Sequence, residues 1–415
     1  MTAKSDSRAL VAQWPDAWLL GGIRTPFVDF AQATSLVSPI DLGIKAAREA
    51  FARTGIPPTD VGTVFAGSMA QASFDAYLLP RHIGLYSGVP VEVPAHQVQR
   101  VCGTGFEVIS QAADAITQNR VALALCVGTE SMSRNPVAAY THRTGFRMGQ
   151  VEFKDFLWEA LLDTSVDATM GATAELLARR FDISRAAADQ FACRSFDRAL
   201  AAQSSGFLGG EICSLQDEVF EVAGFKSRGI KLRGGSAVAA DTHVRASSLE
   251  QLAKLKPAFG GVQTAGNSSA IVDGAVAALV GSSDCVRQYG IDPLARLLAC
   301  AVVGVPPESM GLGPVSAIRA LLDSTGLPLA DIDRLEINEA FAAQTLACVR
   351  ELDLAESKLN VNGGAIALGH PLGATGVRLT LTLARELRRS RARYGIASAC
   401  IGGGQGIAMI VKNES

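Results

Sequence analysis

Part of this 415-residue chain occurs twice. Thr54-Gly55-Ile56-Pro57, followed by Asp60-Val61, returns 271 positions later as Thr325-Gly326-Leu327-Pro328, followed by Asp331-Ile332. In each copy the spacing predicts an amphipathic helix before the turn (residues 42–53 and 315–324) and a short apolar strand after it (64–66 and 335–337). The same offset relates Thr104-Gly105 to Thr375-Gly376, each opening an expected helix, 106–116 and 377–387. Each of those leads into an apolar strand, 121–127 and 394–401, and a three-residue slip then sets Cys126 opposite Cys400. Helices alternating with apolar runs of strand length imply crossover units in sheets covered on both faces. Two copies, near residues 17–131 and 291–415, imply two similar α/β halves packed through shared central helices.

Residues 132–271 have a different character. Glycine-rich stretches surround two expected helices, 172–180 and 185–203, the second capped by Ser184. Basic residues gather there, among them Arg143, Arg147, Lys154, Arg228 and Lys231. A segment inserted on one loop of a duplicated scaffold suits a substrate lid or a subunit contact.

With 48% hydrophobic and 19% charged residues and a formal net charge of −2, bulk charge does not favour a nucleic-acid or anionic-membrane partner. No run of about 18 apolar residues predicts a membrane span, and the first fifteen residues lack the apolar core of a secretory leader. The eight cysteines show neither CxxC pairs nor zinc spacing, so no metal and no disulfide framework is expected. That pattern suits a reducing compartment, the cytoplasm. Most of these cysteines should be core residues. The question is which are not.

Cys102 lies between an apolar run, 91–98, and a helix start, in Val101-Cys102-Gly103-Thr104-Gly105. Unpaired amides at a helix N-terminus favour a thiolate; a small residue filling a strand-to-helix corner fits the same motif. The segment from Asn360 to Gly376 is dense in glycine around His370, which precedes a helix-starting Pro371. A histidine held in such a loop is a candidate base or oxyanion donor. Cys400 borders the triplet Gly402-Gly403-Gly404, whose amides could surround an anionic oxygen. No G-x-G-x-x-G follows the first strand of a unit, so a dinucleotide loop is disfavoured. Asn338 ends a strand of the second copy, where it could cap the next helix.

Together these segments resemble the thiolase family, enzymes that make or cleave 3-ketoacyl-CoA. The resemblance runs from Gly22-Ile23-Arg24-Thr25-Pro26 through the Cys102 segment, Gly128-Thr129-Glu130-Ser131-Met132 and Met170-Gly171-Ala172. It continues through Thr264-Ala265-Gly266-Asn267-Ser268, Met310-Gly311-Leu312-Gly313 and Asn338-Glu339-Ala340-Phe341 to Gly369-His370-Pro371 and Cys400-Ile401-Gly402. It implies a duplicated fold of two βαβαβαββ halves in α/β/α/β/α layers. The N-terminal half would span 1–131 with a return segment at 272–290, the inserted lid 132–271, and the C-terminal half 291–415. It implies reversible acyl transfer in fatty-acid metabolism, with Cys102 acylated, His370 activating it and Cys400 serving as acid/base at the α-carbon. His370 and a water on Asn338 would hold the enolate oxygen, and the amides of Cys102 and Gly402 the tetrahedral oxyanion. Coenzyme A and acyl-CoA would be substrates rather than tightly bound cofactors, bound by the lid near Ser269 and Ala265, with Met170 and Met310 along the acyl chain. A homodimer or homotetramer is implied.

Three positions depart from the family pattern. Thr169 stands where many short-chain members have a histidine, Val272 where Asn is usual, and Gly261-Val262-Gln263 replaces Asp-Gly-Thr-Val; all three are expected at the ligand-facing lid edge. Two other readings compete. A decarboxylating ketosynthase would need a second His, or a His and an Asn, rather than Cys400, and an acyl-CoA-binding homologue that had lost catalysis should have lost Cys102, His370 or Cys400.

Overall fold

The computed structural model describes residues 8–70, 75–140 and 142–415, so the first seven residues of the N-terminal half lie outside the described residues. The N-terminal half runs β1 (Leu10–Gln13), β2 (Trp18–Arg24), α1 (Pro39–Thr54), β3 (Thr63–Gly67), α2 (Leu79–Tyr86), β4 (Ala95–Val98), α3 (Thr104–Thr117) and β5 (Leu123–Glu130). Two helices of the insert follow, α4 (Met170–Arg180) and α5 (Arg185–Ser204), and then β6 (Val272–Gly281). The C-terminal half contains β7 (Ala295–Gly304), α6 (Gly313–Thr325), β8 (Arg334–Ile337), α7 (Ala342–Leu352), α8 (Leu372–Ser390), β9 (Tyr394–Ile401) and β10 (Gln405–Lys412).

Both copies of the repeated turn form for the same reason. Ser38 accepts from the Ile40 amide and Pro39 opens α1, while Gly55 ends it at φ 70°. Gly326 ends α6 at the same φ of 70°, which a side chain would make costly. The apolar run 91–98 is strand only over its second half, because Pro90 and Pro94 interrupt its ladder.

The strands order as β8-β9-β10-β7-β2-β6-β5-β3-β4, with β1 on β7 and Val28–Asp29 on β6. The run β8-β9-β10-β7 repeats the plan of β3-β5-β6-β2: a parallel pair, then antiparallel neighbours. The return strand β6 therefore completes the sheet of the N-terminal half. The two half-sheets join where β2 meets β7, at Leu19↔Ala295 and Trp18↔Arg296. Phe65 pairs with Cys126 and Glu336 with Ala397, so the 271 offset holds through the ladder without a slip. The expected match of Cys126 with Cys400 is thus incorrect. Cys126 is a core residue, and the counterpart of Cys400 is Thr129.

Three apolar cores separate five layers. The middle one holds Phe106, Ile109, Val377 and Leu381 of α3 and α8 between both half-sheets. A second packs α1 and α2 outside the N-terminal half. The third joins α6 and α7 with Leu177, Phe191 and Phe196 of the insert, so α4 and α5 belong to the outer layer of the C-terminal half. The middle helices touch at the repeated glycines: a Cβ on Gly376 would lie 2.2 Å from the Phe106 nitrogen, and one on Gly105 2.6 Å from that of Val377. The rest of the insert is anchored by Arg24, which is fully buried and reaches Glu211 at 2.7 Å and both oxygens of Asp241 at 2.6 and 2.7 Å.

Candidate active site

Cys102 sits in a single turn, Val101–Gly103, at the start of α3. The turn is strained, since Val101 is β-branched and holds φ 45°. Thr104 secures it, its hydroxyl accepting from the Arg100 amide at 2.9 Å and donating to the Val101 carbonyl at 2.7 Å. The thiol is half-buried and packs against Met69, Ala70, Met132, Leu157 and Leu372. The amides of Gly402 and of Cys102 itself donate toward the sulfur. Burial nevertheless outweighs these donors, and with Glu130 nearby the thiol is pushed up to about 11. The helix start therefore does not make a resting thiolate, as the sequence suggested.

His370 is buried between Gly369, at φ 102°, and the start of α8. The Thr375 hydroxyl donates to the Pro371 carbonyl at 3.1 Å, which leaves its oxygen to accept from His370 Nδ1 at 2.6 Å. That network assigns the proton to Nδ1 and the lone pair to Nε2. Nε2 faces Asn338 Nδ2 at 3.3 Å. Burial first, and Arg378 second, hold the imidazole down at about 3, so it is neutral at physiological pH. Thiol and imidazole therefore both rest neutral.

Asn338 does not cap the next helix: Phe341 occupies that position with no side-chain bond, and the Asn338 amide turns toward His370 instead. The preceding loop is tied by Glu339, whose carboxylate takes Ser195 Oγ at 2.6 Å, Asn360 Nδ2 at 2.9 Å and the Ile366 amide at 3.2 Å.

Cys400 is the penultimate residue of β9, opposite Gly406. The glycine triplet is the hairpin loop to β10, with Gly403 and Gly404 at φ 85° and 84°. Gly103 leaves room for Ile401, whose Cδ1 would lie 2.6 Å from a Cβ there, so the two cysteine segments interlock. Cys400 packs with Met170, Met310, Ala340 and Phe341, and burial, then Cys102, push its thiol well up. Met170 Sδ also lies 3.2 Å from where a Gly402 Cβ would be. Cys102, Cys400, Gly402, Met170 and Met310 thus converge, drawn from both halves and the insert.

The remaining expectations fare unevenly. Ser269 is half-buried, its amide bonded to the Ala340 carbonyl, and Ala265 is exposed. Thr169 caps α4 by accepting from the Ala172 amide at 3.2 Å. Val272 is not at a lid edge; it is fully buried and fills the space beneath Gly369. In the 261–263 turn Glu175 takes the amides of Val262 and Gln263 at 2.9 and 2.7 Å, while Gly261 and Val262 stay partly exposed. Arg228, Lys231 and Lys154 of the insert are engaged by Asp41 and Asp75, by Asp217 and by Glu152. Thr375, Glu130 and Glu339 went unremarked as supports. Thr375 stood out only as a repeat marker, and the two glutamates only as strand-end acids beside Gly128-Thr129 and Asn338.

Two family profiles match, one described as thiolase, N-terminal domain, over residues 18–284, the other as thiolase, C-terminal domain, over 291–413. The human protein named 3-ketoacyl-CoA thiolase, mitochondrial, is 42% identical over 396 residues, 94% of this chain and 97% of that one. Beta-ketothiolase BktB of Cupriavidus necator is 39% identical over 398 residues, 95% and 98% of the two chains. Among solved structures, human mitochondrial 3-ketoacyl-CoA thiolase in complex with CoA superposes with TM-score 0.90 at 40% identity, covering 96% of this chain and 98% of that one. The Bacillus anthracis acetyl-CoA acetyltransferase gives 0.88 at 37%, covering 96% and 99%.

Proposed function

The chain belongs to the thiolase family and is an acyltransferase acting on coenzyme A thioesters, and we propose that its turnover runs through a thioester on Cys102. The observation that carries this reading is the interlock of the Cys102 and Cys400 segments, where Ile401 fills the space at Gly103 and Met170 packs on both Gly402 and Cys400, supplied by two halves of one duplicated scaffold and the insert. In the cleavage direction the Cys102 sulfur attacks the 3-keto carbon, and the bond between C2 and C3 breaks. Cys400 delivers a proton to the departing α-carbon and regains one from the incoming coenzyme A thiol, whose sulfur takes the acyl group while the Cys102 sulfur recovers its proton from His370. Condensation is the reverse, with Cys400 removing the α-proton. Because thiol and imidazole rest neutral, the proton leaves Cys102 for His370 Nε2 only as the carbon–sulfur bond forms.

The amides of Cys102 and Gly402 would hold the tetrahedral oxyanion. His370 Nε2, once protonated, and a water on Asn338 hold the enolate oxygen. Residues 132–271 serve as the lid, with Ser269 and Ala265 toward the pantetheine arm and Met170 and Met310 along the acyl chain. Strand β4 ends the sheet, and pairing of that edge in a homodimer or homotetramer belongs to the same reading, as does a place in the cytoplasm; the mammalian relatives are by name mitochondrial. Among the described residues no helix is long and apolar enough to cross a membrane.

Thiolysis of 3-ketoacyl-CoA from the four-carbon substrate upward tests this function; failure at every length refutes it. Cys400→Ala should still take an acetyl group from acetyl-CoA but not condense; condensation at the wild-type rate would remove Cys400 from the mechanism.

A further inference from the structure

Glu130, at the end of β5, is fully buried, and each of its oxygens accepts twice. Oε1 takes Ser68 Oγ at 2.8 Å and the Ala70 amide at 3.2 Å; Oε2 takes the Met69 and Gly373 amides, both at 2.9 Å. Three of the four partners are backbone amides, which can only donate, so the ionised carboxylate fits this cradle as it stands. Burial pushes its pKa up, and these four donors pull it back only in part.

The groups it binds are not scattered. Met69 and Ala70 are two of the residues that wall the Cys102 thiol, and Leu372, a third, immediately precedes Gly373. Gly373 lies in the first turn of α8, three residues after His370, where an anion is favoured by the helix end. The surrounding backbone leaves no slack, since a Cβ on Gly373 would fall 2.8 Å from the Thr129 carbonyl and one on Gly128 2.4 Å from that of Gly373. One carboxylate thus joins the nucleophile's pocket in the N-terminal half to the histidine's helix in the C-terminal half.

We propose that Glu130 is a positioning residue for acyl transfer, fixing three walls of the Cys102 pocket at once and holding them in register with His370. The proposal rests on the reading that Cys102 carries the acyl group. A second consequence follows from charge: an anion beside Cys102 disfavours its thiolate.

Two variants separate reach from charge. Glu130→Asp keeps the charge but is one methylene shorter, so it cannot hold the Met69 and Gly373 amides together. Glu130→Gln keeps the length but loses the charge. Acetylation of Cys102 by acetyl-CoA should slow roughly tenfold or more in both, with kcat falling further than KM. The pH midpoint for iodoacetamide alkylation of Cys102 should stay at the wild-type value in Glu130→Asp and drop in Glu130→Gln. Wild-type acetylation by Glu130→Asp, or variants that lower only the melting temperature, would overturn the proposal. Should Glu130→Gln not fold, the acetylation rate of Glu130→Asp decides alone. If the acyl-Cys102 reading is itself at fault, wild-type enzyme takes no acetyl group, whereas alkylation still reports on Glu130.

Discussion

Gly376→Ala tests whether the crossing of α3 and α8 sets the distance between the two halves of the site. The new methyl would lie 2.2 Å from the Phe106 nitrogen and 2.7 Å from the Gly105 carbonyl carbon, against 3.4 Å or more for ordinary contact. Both are backbone atoms of a buried helix, so relief requires the helices to part by about 1 Å, at a cost of about 1–3 kcal/mol or more for overpacking. Alanine is the better helix former by about 1 kcal/mol, which offsets only part of that. Because Cys102 opens α3 and His370 precedes α8, the same displacement moves nucleophile and base apart, and about 1 Å of misplacement costs roughly 100-fold in rate. Gly55→Ala is the control: its φ of 70° makes the variant about 1–2 kcal/mol less stable, far from the site. Urea unfolding and thiolysis kcat/KM should show comparable destabilisation, with activity lost in Gly376→Ala alone. A folded Gly376→Ala enzyme within twofold of wild-type kcat/KM would refute the reasoning.

Thr375→Val strips the acceptor from His370 Nδ1–H and leaves a buried donor unpaired, so kcat should fall roughly 10- to 100-fold with little change in KM; unchanged kcat would reverse the assigned tautomer. Cys102 in the free enzyme should react with iodoacetamide at a rate that keeps rising with pH toward about 11, and a plateau near pH 8 would show that the amides, not burial, control the thiol. Arg24→Met leaves the buried Asp241 without an ionic partner and Glu211 with only the longer contact to Arg385 at 3.6 Å. Unfolding measurements should find it about 3–5 kcal/mol less stable, whereas a loss below about 1 kcal/mol would mean that the insert is held elsewhere.

The duplication was legible because its markers are local. A glycine after a helix and a Thr-Gly at a helix start reflect backbone demands that recur wherever the unit recurs. Cys102, His370 and Cys400 were legible for a related reason, each lying among glycines that a packed core does not need. What escaped was set by distant partners. The tautomer of His370 depends on Thr375 and its neutrality on burial and then on Arg378, and the high pKa of Cys102 on how deeply two halves enclose it. Val272 read as a lid-edge difference because sequence places it next to exposed Ile271, yet the strand's alternation turns it under Gly369. Asn338 read equally well as a cap, since a strand-end asparagine looks the same whether it faces a helix or a histidine. Glu130 gave no signal of its own, because its four donors come from two stretches of chain far from it in sequence, 68–70 and Gly373.

Intact-mass measurement after incubation with acetyl-CoA examines the central claim most directly. One acetyl group should appear on the wild-type chain, map to Cys102, leave on addition of free coenzyme A and be absent from Cys102→Ser. An acetyl group that persists in Cys102→Ser, or a wild-type chain that thiolyses 3-ketoacyl-CoA without ever carrying one, would contradict the account.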